Sequence, residues 1–244
     1  MGMKSLTKLL KNKRAICFLD FEGSQFSHEM IAFGAVFATI DSKGKIKRVK
    51  KPIKYYVKAK NKIGKFVENL TGITQADLDK LGIPFSKALK EIKKYCGIAY
   101  SHTAFMTFGN HDIRILNQSV SYNLDAPVDI SKVIQKNYID FQNVIFEFIR
   151  DDNNNPYSLA NYLKVFNVDF DGTEHDPQAD AVNLMNLYRS FYEKEDIVLK
   201  EYLKTLGHLN HLPKPAKEAL KRLAEGGNVS ASDFQQFAKE YLDD

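Results

Sequence analysis

Asp20 and Glu22 close the apolar run Ile16-Cys17-Phe18-Leu19-Asp20-Phe21-Glu22. Side chains alternate faces along a β-strand, so the two carboxylates point the same way. Ile16 and Phe18 share their face, while Cys17, Leu19 and Phe21 fill the other. A strand that is apolar on both faces is a buried central strand. Charge at its end is costly to bury unless something offsets it. For two adjacent carboxylates the most economical offset is a divalent cation held by oxygen ligands.

Two further acids stand at predicted helix starts. Asp112 follows an apolar run and the turn Gly109-Asn110-His111, and the spacing Ile113, Leu116, Val120 marks a helix. Taken alone, an acid in a first turn is explained by the helix macrodipole. Asp176 is placed as an N-cap and Pro177 as a first helical residue, which puts Asp180 one turn in. His175 then lies on the entering loop, free to lean toward whatever Asp180 binds. A lone histidine in that place is ordinarily a surface residue or a backbone partner.

The elements that must position these residues alternate in type. A first strand is predicted over 15–22. Runs 29–40 and 46–57 flank the turn signal Asp41-Ser42-Lys43-Gly44 and read as an antiparallel hairpin. Residues 62–95 read as helical in pieces, broken at Thr71-Gly72 and Gly82-Ile83-Pro84, with Thr74 and Asp77 forming a capping box. A fourth strand is expected over 98–108 and a fifth over 138–141. Helices are expected over 144–150, 157–166 and 177–192. An antiparallel opening followed by strands alternating with helices implies an α/β fold, a mixed sheet with helices packed on it. From about Asp196 the chain offers three more helical stretches, broken at 207–213 and 226–227, with a second capping box at Ser230 and Asp233.

The 244 residues, 44% of them hydrophobic, suffice for one sizeable core with or without a small appendage. No stretch approaches a transmembrane helix. Met1 to Arg14 is basic without an apolar segment, so no secretory signal is expected. Cys17 and Cys96 sit in apolar runs and read as core residues of a reducing compartment. A cytoplasmic, membrane-free protein is the expectation. Between Ser42 and Val67 stand eleven Lys or Arg and no acid; removing these from the net charge of +5 leaves the rest at −6. Such a block suits a polyanionic partner. It equally suits an edge strand protected by lysines.

Asp20-x-Glu22, Asp112 opening a helix and His175-x4-Asp180 together resemble the DEDDh family of 3′→5′ exonucleases. Ser27 to Gly34 is similar to that family's second strand, Leu70-Thr71-Gly72-Ile73-Thr74 to its Leu-Thr-Gly-Ile-Thr segment, and Thr107 to Asp112 to its second exonuclease motif. The nearest branch is the Eri-like exoribonucleases; proofreading subunits and ribonuclease T are more distant. The resemblance covers about 14–193, so 194–244 reads as a helical C-terminal extension.

The resemblance implies an RNase H-like fold, with a five-stranded mixed sheet that brings the four acids into one cleft. It further implies two divalent ions, Mg²⁺ with Mn²⁺ able to substitute. Asp20, Glu22 and Asp180 are then expected to hold the ion carrying the attacking water, Asp20 to bridge to a second ion, and Asp112 to support that ion. His175 is expected as the general base, because imidazole titrates near neutrality. The expected substrate is single-stranded nucleic acid with a free 3′ end, RNA slightly favoured over DNA, and the product a nucleoside 5′-monophosphate. The alternatives are a DNA proofreading or processing subunit, or a non-catalytic nucleic-acid-binding module.

Further contacts are expected around this centre. Gly23 would let a phosphate or sugar approach the backbone. Thr71, Gly72 and Ile73 would line a pocket for the terminal nucleotide. Phe26 and Phe108 would stack on bases, with core packing an equal reading for Phe108. Lys58, Lys60, Lys62 and Lys65 would guide the backbone inward. The C-terminal helices offer a surface for a protein partner or for self-association.

Overall fold

The computed structural model describes residues 4–209 and 211–243. The first three residues of the basic N-terminal stretch, position 210 in the expected 207–213 break and the last residue of the expected extension lie outside the described residues. The strands are β1 (Ala15–Gly23), β2 (Met30–Ile40), β3 (Ile46–Val49), β4 (Ile53–Lys58), β5 (Ile83–Pro84), β6 (Thr103–Thr107) and β7 (Tyr138–Asp140). The helices before the last strand are α1 (Lys4–Leu9), α2 (Lys65–Thr71), α3 (Gln75–Leu81), α4 (Phe85–Cys96), α5 (His111–Tyr122) and α6 (Val128–Lys136). After it come α7 (Phe141–Phe146), α8 (Leu159–Val165), α9 (Pro177–Glu193), α10 (Glu195–Gly207), α11 (Lys214–Ala224) and α12 (Ala231–Asp243).

The sheet runs β5-β4-β2-β1-β6-β7, with β3 also on β2. β1 pairs antiparallel with β2 and parallel with β6, and β6 parallel with β7. The central position of β1 follows from its two apolar faces. Ile16 and Phe18 enter a core with Val36, Met106, Leu184 and Tyr188 on the α9 side. Cys17, Leu19 and Phe21 enter another with Leu89, Ile92, Phe105 and Ile115 under α4 and α5. Each fully buried Ile, Leu or Phe contributes roughly 1.5–3 kcal/mol, which offsets the charge buried at the strand's end. Cys17 and Cys96 are buried and unpaired by disulfide.

The mixed sheet flanked by helices is as expected, but it has seven strands in place of five. The run 46–57 is divided at Lys50-Lys51-Pro52. Val49 pairs with Ala38 and Ile53 with Ala35, so the lysine-rich side carries one residue more than β2 between those pairs. That surplus is a bulge, and Pro52 has no N–H to continue a ladder. The two-residue β5 completes the count. The fourth strand starts later than expected. Residues Gly97–His102 form a 3-10 turn, tied by the Thr103 hydroxyl to the Ala99 carbonyl (2.8 Å), before β6 begins.

Two helices were not anticipated. In α1, Leu6 is buried against the α9 side of the core. In α6, Ile130 and Ile134 are buried at a four-residue spacing that was legible in the sequence. The Thr74–Asp77 capping box forms, and the Asp233 backbone and side chain engage Ser230 in the same way. At the tail, α10 joins the main core through Val198. Its Thr205 hydroxyl donates to the Phe148 carbonyl at 3.0 Å. α11 packs on α10 and α12 on α11. No helix among the described residues is long and apolar enough to cross a membrane.

Gly34 sets the distance between α9 and the sheet. A Cβ there would lie 1.8 Å from the Pro177 carbonyl oxygen. Gly34 is also the register partner of Asp20, so the start of α9 rests directly beside that carboxylate. The obstacle is backbone, which cannot rotate away. Gly34→Ala is expected to destabilise the protein by about 3 kcal/mol and to impair the site by lifting Asp180 from it. Urea unfolding checks the first effect; an unchanged midpoint would contradict the packing.

Candidate active site

The carboxylates gather outside the C-terminal ends of the adjacent parallel strands β1 and β6, where open α/β sheets place ligand sites. β6 pairs with β1 only over 15–18, which leaves later N–H groups of β1 free on that side. Asp112 uses one of them. It is the second residue of α5, it is buried, and its Oδ1 accepts from the Phe21 N–H at 2.7 Å. The turn leading into α5 passes through Gly109 at φ 90°, whose N–H donates to Asp140 Oδ1 at 3.0 Å. Asp140 therefore ties the end of β7 to the loop that delivers Asp112.

Asp180 arrives from the other side of the sheet. Asp176 caps α9 by accepting from the Gln178 and Ala179 N–H groups at 2.9 and 3.1 Å. The Lys54 ammonium sits 2.6 Å from Asp176 Oδ2 and fastens this cap to β4. His175 stands in the left-handed region at φ 65°, and its N–H donates to Asp180 Oδ2 at 3.0 Å. One ligand atom each from Glu22, His175 and Asp180 lie within 4.8 Å of one another. Asp20, Glu22, Asp112 and Asp180 come from three elements up to 160 positions apart in the chain.

The electrostatics of this group are those of crowded acids. Burial, then Asp112, Glu22 and Asp180, raise the Asp20 carboxyl well above its usual range. Burial, then Asp180 and Asp112, push Glu22 up to about 8. Asp112 is pushed up to about 7 by burial, which outweighs the stabilising N–H groups of Phe21 and of Asp112 itself. Asp180 is likewise pushed up to about 7 by burial, against the His175 N–H. Two unit charges about 4 Å apart at an effective dielectric near 20 repel by roughly 4 kcal/mol. Asp20 Oδ2 is fully buried and has no hydrogen-bond partner among the described residues. A buried oxygen without a donor, amid acids that strain to ionise, fits a hard divalent cation with oxygen ligands.

The remaining predicted residues are placed as follows. A Cβ on Gly23 would meet the Ile115 side chain at 2.9 Å, so this glycine serves the packing of β1 on α5. Thr71 turns its hydroxyl to the Val67 carbonyl (2.8 Å), and Gly72, at φ 70°, ends α2. Ile73, expected to line a nucleotide pocket, is 2% exposed and packs with Ile31, Ile63, Val67 and Leu78. Phe108 packs edge-on to Tyr162 at 5.9 Å, at the margin of the core. Phe26 is 81% exposed. Lys58, Lys60, Lys62 and Lys65 are all exposed.

Two residues that hold the site escaped sequence reasoning. Lys54 lay unmarked inside the basic block, and only its ion pair with Asp176 separates it from the lysines around it. Asp140 had no signal beyond its place at the end of a predicted strand.

Comparison with known families and structures agrees with this geometry. A family model described as an exonuclease, of the RNase T type, matches residues 18–188. The chain belongs to this exonuclease family. The nuclease domain of 3'hExo, a DEDDh family member bound to rAMP, shares the fold at TM-score 0.60 and 21% identity, over 75% of this chain and 93% of that one. Cell-death related nuclease 4 (CRN-4) aligns at TM-score 0.57 and 18% identity, over 74% of this chain and 64% of that one. E. coli Exonuclease I in complex with a 5cy-dT13 oligonucleotide aligns at TM-score 0.57 and 16% identity, over 80% of this chain and 44% of that one. Comparison with curated protein sequences gave no match.

Proposed function

We propose that the protein is a metal-dependent 3′→5′ exonuclease that removes nucleoside 5′-monophosphates from single-stranded nucleic acid, RNA favoured over DNA. The observation that carries this reading is the cluster of Glu22, His175 and Asp180 beside an orphaned Asp20 oxygen, with Asp112, Glu22 and Asp180 near enough to raise the Asp20 carboxyl. Asp20, Glu22 and Asp180 would hold one divalent ion, and Asp20 with Asp112 a second, Mg²⁺ by preference with Mn²⁺ as substitute. Bound ions of this kind neutralise the developing charge of an in-line phosphoryl displacement.

The chain's own residues do the rest. The Phe21 N–H holds Asp112 and the His175 N–H holds Asp180, so these carboxylates are already oriented when phosphate enters. The His175 ring nitrogen that neighbours Glu22 and Asp180 takes a proton from the attacking water. The bond from its own N–H to Asp180 keeps the loop in register for that task. Residues 14–193 form the exonuclease domain in this reading, and 194–244 its helical extension.

The preference for RNA is supported by the structural likeness to a nuclease domain bound to rAMP. A likeness to an exonuclease holding a DNA oligonucleotide keeps DNA as the second substrate to be compared. A non-catalytic binding module is disfavoured, since crowded carboxylates repel phosphate and serve no binder. A processing subunit tied to a larger machine draws support from α12, whose Phe234, Tyr241 and Leu242 are exposed. Size measurement of Leu242→Glu against the parent chain tests that association.

The decisive experiment is a degradation series on 5′-labelled single- and double-stranded RNA and DNA with Mg²⁺, using Asp20→Ala as the inactive control. Stepwise shortening from the 3′ end is expected, together with protection by a 3′ block. Internal cuts, or no shortening at all, would overturn the reading. Neutralising Lys60, Lys62 and Lys65 together is expected to weaken binding and flatten its salt dependence by about 2–3 units of log–log slope. An unchanged slope would remove these lysines from the substrate path.

A further inference from the structure

Beyond the end of β1, two irregular segments are fastened to one buried carboxylate. Glu29 is 1% exposed. Its oxygens accept from the Lys60 N–H (2.9 Å), the Asn61 N–H (3.0 Å), the Asn61 side-chain amide (2.6 Å) and the Ser27 hydroxyl (3.0 Å). These donors hold the carboxyl below its ordinary range despite its burial. The Lys60 ammonium in turn donates to the Tyr122 carbonyl at the end of α5. The turn 24–28, the loop 59–63 and the C-terminus of α5 are thus fixed relative to one another.

Between them lies a surface depression of about 400 Å³, lined by Phe26, Ser27, Asn61, Lys62 and Tyr122. Phe26 is 81% exposed and Tyr122 36%, so both aromatic side chains reach solvent at the depression. Tyr122 stands ten positions after Asp112 on the same helix, about 15 Å along its axis. The rings of His28 and His111 meet edge-on at 5.6 Å and join the turn 24–28 to the start of α5. The Tyr122 end of the depression is therefore set apart from Asp112 by more than the width of one base. Exposed rings beside the exposed Lys62 match the chemistry of a base with its phosphate: a π-face to stack and an anion to neutralise. A purely apolar ligand would use the rings but leave Lys62 without purpose.

We propose that this depression is a second base-stacking subsite, taking a nucleobase upstream of the 3′ end of a single strand against Phe26 and Tyr122, with Lys62 at its phosphate. The upstream polarity rests on the exonuclease reading; stacking itself does not. Stacking on aromatic faces is tolerant of sequence, so the subsite contributes grip on a strand rather than choice of base.

The chain has no tryptophan, so Phe26→Trp installs a single fluorescent reporter in the full protein. Asp20→Asn is added to prevent turnover. The probes are a ten-nucleotide oligodeoxyadenylate and the same strand made abasic everywhere except its 3′-terminal nucleotide. Quenching of the tryptophan by the complete strand, and little by the abasic one, is expected. Tyr122→Ala is expected to weaken binding of the complete strand by about tenfold and to change abasic binding by less than about twofold. No quenching, or equal quenching by both strands, would overturn the subsite. Should the parent chain shorten no substrate while the base-dependent quenching persists, the exonuclease reading fails and the subsite stands. Should the parent chain shorten its substrate while no quenching is seen, the subsite fails and the exonuclease reading stands.

Discussion

Asp20→Asn is expected to lower nuclease activity about a thousandfold or more and, in the metal-free protein, to raise stability. The two effects have one cause. Asp20 faces Asp112, Glu22 and Asp180 and carries a buried oxygen with no donor. The asparagine amide fills the same space, abolishes one charge and offers N–H groups to the neighbouring carboxylates. Relief of this kind is worth on the order of 2 kcal/mol, or about 5 °C in melting temperature for a chain of this size. Thermal unfolding in a chelator, beside a nuclease assay with Mg²⁺, checks both. A variant that keeps activity within tenfold, or melts lower than the parent in chelator, would break the link between strain and function. Leu19→Ala, in the same strand but facing the opposite core, is expected to destabilise by about 2–5 kcal/mol, which separates relief of charge from simple disruption.

Metal-free protein is expected to lose stability as pH rises from about 4 to about 8, and a divalent ion is expected to restore it. Glu22 is held near 8, Asp112 and Asp180 near 7, and Asp20 higher than its ordinary range. For acids whose folded pKa is raised, the folded state binds more protons than the unfolded state between the two values. Stability therefore has a negative slope with pH across that window. The acids with lowered values, Glu29 and Asp176 among them, act in the opposite sense and lose their contribution only as pH falls below about 4. Between pH 5 and 8 the four raised acids of the site act together, opposed by His111, whose imidazole is held below its ordinary range by burial. Ligation requires the ionised forms, so metal uptake near pH 7 should release at least about one proton. Calorimetric titration with Mn²⁺ in two buffers of different ionisation enthalpy measures that number. Zero proton release, or a melting temperature in chelator that climbs from pH 5 to 8, would show that the carboxylates do not share one cleft.

Much of this protein was written locally in its residues. The two-faced apolar pattern of 16–21 made β1 central, and period two put Asp20 and Glu22 on one side. The Asp176-Pro177 start of α9 fixed Asp180 one turn in and left His175 outside the helix. The capping box at Thr74 and the three tail helices were legible for the same reason: caps, turns and periodicity act over a few neighbouring residues.

What the tertiary structure alone decided are distances between residues remote in sequence. Lys54 reads as one of eleven basic residues until β4 lies beside the start of α9 and pairs it with Asp176. Glu29 reads as the edge of a strand until loop 59–63 folds onto it. Ile73 keeps its place in the motif, yet its side chain goes to a small core that only the packed α2 and α3 create. Gly34 carries no mark of importance until a helix carbonyl occupies the space of its missing Cβ. Hydrogen bonds, ion pairs and packing act over a few ångströms in space, and only the folded chain sets which atoms meet that condition.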